Sequence, residues 1–394
     1  MYNLPLASSS WGVEEIQAIL SVVNSGQYTM GSRTLEFETQ FANWVGRKHA
    51  VMVNSGSSAN LLAVAALKYS DYGVSKSNQN PEVIVPAVSW ITTYSPLEQL
   101  GFKIVLVDID IETYNLDLSM VENAITEFTV GIFGVNLLGN SLDWQKLGEL
   151  AKKYNLWLLE DNCESMGSKY GGKLTGANGL ASTFSFFYSH HICTMEGGMV
   201  VTDDDHLSQV LRSMRAHGWS REFPIDENFL GNERSSAWEE NFRFYLPGFN
   251  LRPLEISAAI GTVQLPKINS IVRQRRINAS FLQEEVKRLN LNWKLQIELG
   301  ESSWFTFGFV HSDLEADGSL RHKLVKALEA NSFQSRPIVA GNISRHPVAK
   351  RMNMRTSGNL INADHLHHNG LMIGNHHFDI REPLEKFLEI LSNN

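Results

Sequence analysis

Two adjacent histidines, His190 and His191, lie in the segment TFSFFYSHHICTMEGGMV, residues 183–200. An imidazole titrates near neutrality, so either histidine could take up and release a proton at physiological pH. Metal binding is an alternative, but adjacent residues rarely coordinate one ion together, and no carboxylate or thiol lies at a recognisable ligand spacing. The glycine pair Gly197-Gly198, directly after Glu196, indicates a turn or a close backbone approach. The segment therefore favours proton transfer over a metal site.

Three other positions carry possible chemistry. Residues 56–58 (Gly-Ser-Ser) follow the strand-like run HAVMV and open a helix, where backbone N–H groups suit a phosphate, although a plain helix cap is the alternative. Asp161 follows an apolar run, and an acid at the carboxyl end of a parallel strand lies where α/β sheets place their sites; a helix cap is again the alternative. Trp90 follows another predicted strand and could stack on a flat ring or belong to the core.

Composition limits the function classes. A chain of 394 residues, 43% hydrophobic and 19% charged, can bury a large core and form two domains. The net charge of −8 gives no indication of a nucleic-acid partner. No apolar run is long enough to span a membrane, and the N-terminus does not resemble a secretion signal. Two cysteines exclude a disulfide framework and are too few for a four-cysteine iron–sulfur cluster. We therefore expect a cytoplasmic enzyme.

Strand-like and helix-like segments alternate over the first two-thirds of the chain, which predicts a mostly parallel sheet flanked by helices. Predicted strands span residues 49–53, 82–85, 103–107, 130–135, 156–159, 182–187 and 199–202, and predicted helices span residues 58–68, 94–100, 118–125 and 142–153. After Leu251 the pattern predicts one long helix over residues 254–289, then further strands and helices. We expect a large domain at residues 1–250 and a smaller one at 251–394.

Taken in order, these features resemble the DegT/DnrJ/EryC1/StrS sugar aminotransferases, which depend on pyridoxal phosphate (PLP), and the resemblance covers almost the whole chain. It implies an α/β, type I aspartate aminotransferase fold: a large domain with a mixed, mostly parallel sheet, plus a smaller C-terminal α/β domain. In that family the 183–200 loop carries a lysine that holds PLP as a Schiff base. Counted back from Gly197-Gly198, the lysine position falls on His190. The resemblance therefore implies noncovalently held PLP or pyridoxamine phosphate, with His190 as acid and base.

The histidine pair is similar to the 3-dehydratases of 3,6-dideoxysugar pathways. One kind acts on a CDP-linked sugar and carries an iron–sulfur cluster; the other acts on GDP-4-keto-6-deoxy-D-mannose without a cluster and uses L-glutamate. The cysteine count favours the second kind, as do segments such as LLEDNCESMG and FYSHHICTMEGG. The implied partners are that GDP-sugar, L-glutamate and a second copy in a homodimer. Three alternatives remain: a nucleotide-sugar aminotransferase with histidine in place of lysine, a CDP-hexose 3-dehydratase and a non-catalytic PLP-binding protein. No segment of the sequence specifies GDP over CDP.

The resemblance assigns roles to individual residues. The expected catalytic residue is His190, the expected cofactor-binding residues are Gly56, Ser57, Ser58, Trp90, Asp161, Glu164, Ser185 and Asn250, and the expected substrate-binding residues are His217, Arg221 and Phe242. Asp161 would face the pyridine nitrogen, Glu164 the O3′ side of the ring, and Asn250 the phosphate of a second subunit. No metal ligand is expected. Met195 departs from the family, which often has glycine there. Solvated surface is favoured for His365, His367, His368, His376 and His377.

Overall fold

The computed structural model describes residues 4–70, 72, 80–220, 236–240 and 242–393. Within these residues the main sheet has eight strands. They are β1 (His49–Val53), β2 (Glu82–Pro86), β3 (Lys103–Val107), β4 (Thr129–Val135), β5 (Trp157–Asp161), β8 (Ala181–Ser185), β9 (Gly198–Thr202) and β13 (Met354–Thr356). Their order is β1-β9-β8-β5-β4-β2-β3-β13. Within this sheet, β9 runs antiparallel to the other seven strands, which are parallel to one another. The predicted mixed, mostly parallel sheet is confirmed.

Helices cover the sheet and extend beyond it. Their bounds are Val13–Ser25, Ser32–Val45, Gly56–Tyr69, Ile91–Gln99, Leu118–Ala124, Trp144–Lys153, Asp205–Arg215, Ala237–Glu240, Glu255–Gln264, Ile268–Leu289, Ser319–Ala330, Ile361–Asn369 and Arg381–Ser392. The strands and helices predicted up to residue 202 all occur, with ends that shift by a few residues. The single helix predicted over residues 254–289 is wrong. A 3₁₀ turn, Leu265–Lys267, divides it at Pro266, because proline lacks the N–H that a continuous α-helix needs.

A second, four-stranded antiparallel sheet lies in the C-terminal part. Its strands are β10 (Trp293–Leu295), β11 (Thr306–His311), β12 (Ser335–Arg336) and β14 (Gly370–Gly374), in the order β10-β11-β14-β12. A separate two-stranded hairpin pairs β6 (Lys169–Tyr170) with β7 (Lys173–Leu174). Within the second core, Phe307 and Phe309 of β11 pack with Leu324 and Phe387 of the covering helices. The division at residue 250 stays a prediction, and β13 crosses it by joining the main sheet.

The helix Ile268–Leu289 takes part in two cores. Near its start, Ile271 and Val272 pack in a cluster with the first helices of the chain and with β8 and β9. Near its end, Ala279 and Leu282 pack into the second core. One rigid element thus joins the large sheet to the small one.

The prediction of a solvated histidine-rich tail is wrong for His365 and His376, both of which are buried. The His365 ring donates Nε2–H to the His311 carbonyl at 2.7 Å. The His376 ring donates to the Pro5 carbonyl at 2.9 Å and lies 2.7 Å from the Ser8 hydroxyl. These histidines anchor chain segments, a role that hydrogen bonding to main-chain carbonyls makes compatible with burial. None of the described helices has the length and apolar character needed to cross a membrane.

Candidate active site

A cavity of about 340 Å³ opens beside the carboxyl ends of β5 and β8. Its lining residues are Ser55, Gly56, Ser57, Asn60, Ser89, Trp90, Thr92, Val135, Asp161, Cys163, Glu164, Ser185, Phe187, Ser189, His190, Glu196, Phe305 and Arg336. Parallel sheets place their binding sites at this edge, where polar residues that follow different strands meet. A larger cavity of about 690 Å³ lies beside β10 and β11, and none of the predicted site residues lines it.

One end of the cavity is the N-terminus of the helix Gly56–Tyr69. Ser55 caps this helix by accepting the Ser58 N–H at 3.1 Å, so Ser58 is held in the cap and does not line the cavity. Gly56 must be glycine, because a Cβ there would lie 2.4 Å from Cβ of Ser185. The Ser57 hydroxyl lies at the cavity, 3.2 Å from that of Thr92. Main-chain N–H groups, hydroxyls and the positive end of a helix dipole together favour an anion here.

Asp161 ends β5 and is buried. Its Oδ2 accepts hydrogen bonds from Asn60 Nδ2 at 2.8 Å and from the Thr93 hydroxyl at 2.9 Å. Its Oδ1 accepts from the Cys163 N–H at 3.2 Å. Every one of these partners donates, which is the environment that a carboxylate requires. Asp161 is therefore a fixed anion at the floor of the cavity, suited to a cationic N–H group.

The two histidines point to different surroundings. His190 lines the cavity and stacks on Phe305, with ring centroids 5.0 Å apart and planes 19° apart. His191 is buried away from the cavity and donates Nε2–H to the Ser303 carbonyl at 3.2 Å. Burial lowers the pKa of His190 to about 4, with a smaller contribution from nearby arginines such as Arg275. His190 is thus neutral at pH 7 and can accept a proton.

The loop that carries His190 is closed by short main-chain contacts. The His190 N–H donates to the Phe187 carbonyl and the Thr194 N–H to the Phe186 carbonyl, each at 2.9 Å. Met195 has φ +70°, the left-handed region that glycine enters most easily. Met195 therefore holds a conformation that glycine, the residue often found at this position in the family, adopts with less strain.

Glu164 faces the cavity beside Asp161. Its Oε2 accepts the Leu138 N–H at 2.9 Å. Burial raises the pKa of Glu164 to about 7; the Leu138 N–H and the Arg336 charge oppose that rise, and the Asp161 charge adds to it. Asp161 and Glu164 therefore differ, since Asp161 accepts from three donors and Glu164 from a single main-chain donor.

The far wall of the cavity comes from the C-terminal part, and sequence reasoning missed it. Phe305 precedes β11, and Arg336 ends β12, with its guanidinium carbon 5.6 Å from the centre of the Trp90 ring. Trp90 itself is half exposed at the cavity mouth. Asn60, the partner of Asp161, was also missed, although a single asparagine inside an apolar helix was a signal that could have found it.

Besides Ser58, three predicted residues in the described part of the chain do not line the cavity. Asn250 is exposed, and its side-chain oxygen accepts from Arg252 Nε at 3.0 Å. His217 packs edge-on against Trp219, with ring centroids 4.8 Å apart. Phe242 is exposed, with its ring 6.0 Å from that of Trp238. Arg221 lies outside the described residues.

The cavity fits PLP. The anion site at Gly56, the fixed carboxylate of Asp161 and the indole of Trp90 match a phosphate, a pyridinium nitrogen and a flat ring. The missing Cβ at Gly56 lets strand β8 and the helix end approach closely enough to share that anion site. His190 Nδ1 is buried without a hydrogen-bond partner in the described structure, as expected of a side chain that awaits a ligand. Among the described residues that line the cavity none is a lysine, so none of them could form the family's covalent link.

The chain belongs to the DegT/DnrJ/EryC1/StrS aminotransferase family, whose model matches residues 10–389. Solved structures related to the chain superimpose on it over nearly its whole length, which confirms the predicted PLP-dependent aspartate aminotransferase fold.

Within the family, several similar proteins are 3-dehydratases of a GDP-linked sugar. The chain is 44% identical to a GDP-4-keto-6-deoxy-D-mannose 3-dehydratase of Yersinia pseudotuberculosis, over 99% of this chain and 98% of the relative. It superimposes with a TM-score of 0.93 on the E. coli GDP-4-keto-6-deoxy-D-mannose 3-dehydratase with bound hydrated PLP, at 44% identity, covering 99% of this chain and all of the other. A GDP-4-keto-6-deoxymannose 3-dehydratase with a trapped PLP–glutamate geminal diamine gives a TM-score of 0.92 at 43% identity, over 98% of this chain and all of the other.

Proposed function

We propose that the protein is a PLP-dependent dehydratase that removes the C3 hydroxyl of GDP-4-keto-6-deoxy-D-mannose. The product is GDP-4-keto-3,6-dideoxy-D-mannose, and L-glutamate converts the cofactor to its amine form. The observation that carries this proposal is a cavity with an anion site, a carboxylate and an indole, which is lined by His190, the residue that the register from Gly197-Gly198 assigns to the family's lysine position. The names of the relatives at 44% identity supply the sugar substrate, and the glutamate adduct of a related enzyme supplies the cosubstrate.

When bound as pyridoxamine phosphate, the cofactor supplies an amine that can join the C4 ketone of the sugar and a ring that accepts electrons. Asp161 holds the ring nitrogen in its protonated form, because its carboxylate is fixed by three donors. The helix end at Gly56 and the hydroxyls of Ser57 and Ser185 bind the phosphate. These contacts replace the covalent link that a lysine would provide.

The proposed role of His190 is to take a proton from the carbon next to the cofactor's amine and to deliver it to the departing C3 hydroxyl. Burial lowers its pKa, which weakens the imidazole as a base and strengthens the imidazolium as an acid. The neutral imidazole is available as a base at pH 7, and the protonated imidazole is a strong acid once formed. Imidazole forms no stable Schiff base, so His190 leaves the cofactor free to react with glutamate and then with the sugar.

The test is incubation with PLP, L-glutamate and either GDP-4-keto-6-deoxy-D-mannose or the corresponding CDP-sugar, followed by mass analysis. We expect 2-oxoglutarate and a GDP-linked deoxy ketone without added nitrogen. A product that retains nitrogen would identify an aminotransferase instead. Turnover of the CDP-sugar alone would overturn the nucleotide assignment, and absence of 2-oxoglutarate would indicate a non-catalytic PLP-binding protein.

We further propose that the enzyme is a homodimer in the cytoplasm. The helix Val13–Ser25 exposes an apolar stripe at helical spacing, with Val13 64% and Leu20 53% exposed, and such a stripe is suited to a second copy. Asn250 is exposed and does not line its own cavity, which agrees with a role in the partner's phosphate site. Both cysteines are unpaired, as is usual in a reducing compartment. A fully active monomer in sedimentation and dilution assays would contradict the dimer.

A further inference from the structure

Asp161 and Glu164, which lie beside each other in the cavity, have unequal hydrogen-bond environments. Asp161 accepts from three donors, whereas Glu164 accepts from the Leu138 N–H alone among the described residues. Two carboxylates that share one small cavity disfavour each other's ionisation, and the group with fewer donors keeps its proton more readily. The geometry therefore distinguishes a carboxylate whose two oxygens both accept hydrogen bonds from a carboxyl group that can keep its proton.

The single donor to Glu164 is held in a fixed position. Leu138 has φ +54°, a conformation that is unfavourable for leucine and persists only when its surroundings impose it. The next residue, Gly139, is packed so tightly that a Cβ there would lie 2.6 Å from the Trp304 N atom. The Leu138 N–H thus occupies Oε2 and leaves Oε1 of Glu164 without a hydrogen-bond partner in the described structure.

Arg336 is the cation of the cavity lining, and it does not form a salt bridge with Glu164 in the described part of the chain. Its guanidinium instead lies over the Trp90 ring and donates to the Val339 carbonyl at 3.0 Å. The charged and titratable groups near Glu164 are thus Asp161 from β5, Arg336 from β12, and His190, Cys163 and Glu196 at the cavity. Of these, only Arg336 favours the ionised form of Glu164, and it does so from a distance.

We propose that Glu164 works as a neutral carboxylic acid, which donates a hydrogen bond from Oε1 to the cofactor bound in the cavity. This proposal rests on the proposed function, because it assumes a PLP-type ligand beside Glu164. It makes Glu164 a further catalytic residue, with a proton that is present below neutrality and lost above it. A pKa of about 7, raised mainly by burial, agrees with this arrangement. Asp161 then supplies the negative charge opposite the ring nitrogen, and His190 acts as the base. Glu164 acts as the neutral acid that donates a hydrogen bond.

The first test is PLP binding to cofactor-free protein, measured for wild type and Glu164→Gln about one pH unit below and above 7. Glutamine keeps a hydrogen-bond donor at every pH, whereas the wild-type donor disappears as pH rises. We expect wild-type affinity, relative to the variant, to fall about fivefold to tenfold across this range. PLP's own titration affects both proteins equally and cancels in the ratio. Glu196→Gln, which alters an exposed carboxyl at the same cavity, is the matched control and should keep the wild-type pH dependence.

The second test is independent of the variant's folding and of catalysis. The infrared spectrum of the cofactor-free wild-type protein should contain a buried protonated-carboxyl band below pH 7 that disappears as pH rises through 7. The band should be absent from Glu164→Gln and present in Glu196→Gln. A constant affinity ratio, or a spectrum without that band, would overturn the proposal. Neither measurement requires product, so failure of the dehydration assay and failure of this proposal are distinguishable.

Discussion

The two walls of the cavity have different origins. One wall is built from residues that directly follow strands of the main sheet, including Asp161 and the helix start at Gly56. The other wall is Phe305 and Arg336, which come from the second sheet more than a hundred residues further along the chain. The first wall supplies the fixed anion and the anion-binding site, and the second supplies an aromatic surface and a cation. We therefore expect the first wall to hold the cofactor and the second wall to set the electrostatic environment of the groups that react.

The largest effect should come from His190, which lies between the two walls. His190→Asn removes the base and leaves the noncovalent cofactor contacts intact, so the rate of deoxy-ketone formation should fall by about 10³-fold. Cofactor affinity should change by less than about threefold, since none of the proposed cofactor contacts is lost. Mass analysis of the sugar product and PLP titration measure these two quantities.

His191→Asn is the matched control, because His191 is the adjacent residue but is buried away from the cavity. We expect it to retain at least about a tenth of wild-type activity, with some loss of stability from the altered Ser303 contact. If the His191 variant were inactive and the His190 variant active, the base would be assigned to the wrong histidine.

The next largest effect should follow from Asp161→Asn, on the main-sheet wall. An amide cannot stabilise a protonated ring nitrogen as a carboxylate does, and loss of one such preorganised partner costs about 3 kcal/mol, or about 10²-fold in rate. Both glutamate-dependent 2-oxoglutarate release and sugar dehydration should slow. Near-normal rates for both would mean that Asp161 serves only as an acceptor for Asn60 and Thr93.

A smaller effect is expected on the second wall. Arg336→Gln removes a charge that contributes, behind burial, to the low pKa of His190, so that pKa should rise. Because the neutral form of His190 is the base, the acid limb of the rate profile should move to higher pH, while the rate at pH 8 falls by less than about tenfold. Arg351→Gln, at an exposed arginine, should leave the profile unchanged. An acid limb that moves to lower pH would contradict the assigned role of Arg336.

The same contrast explains what the sequence could predict. Asp161 and Gly56 follow strands directly, so the alternation of strands and helices was sufficient to place them at one edge of the sheet. The register counted from Gly197-Gly198 placed His190, not His191, at the cavity, and the structure agrees. Phe305 and Arg336 carry no local signal, because their position depends on how the second sheet packs against the first. The break at Pro266 was readable in principle, but the apolar pattern on both sides concealed it.

The helix Ile268–Leu289 has a consequence for how the molecule unfolds. A helix of 22 residues is about 33 Å long, and its apolar side chains are shared between both cores. Loss of either core would expose part of that apolar face to water. It would also destabilise the helix on which the other core packs. The two sheets should therefore lose their structure together, in a single cooperative transition, and neither should persist as an independently stable fragment.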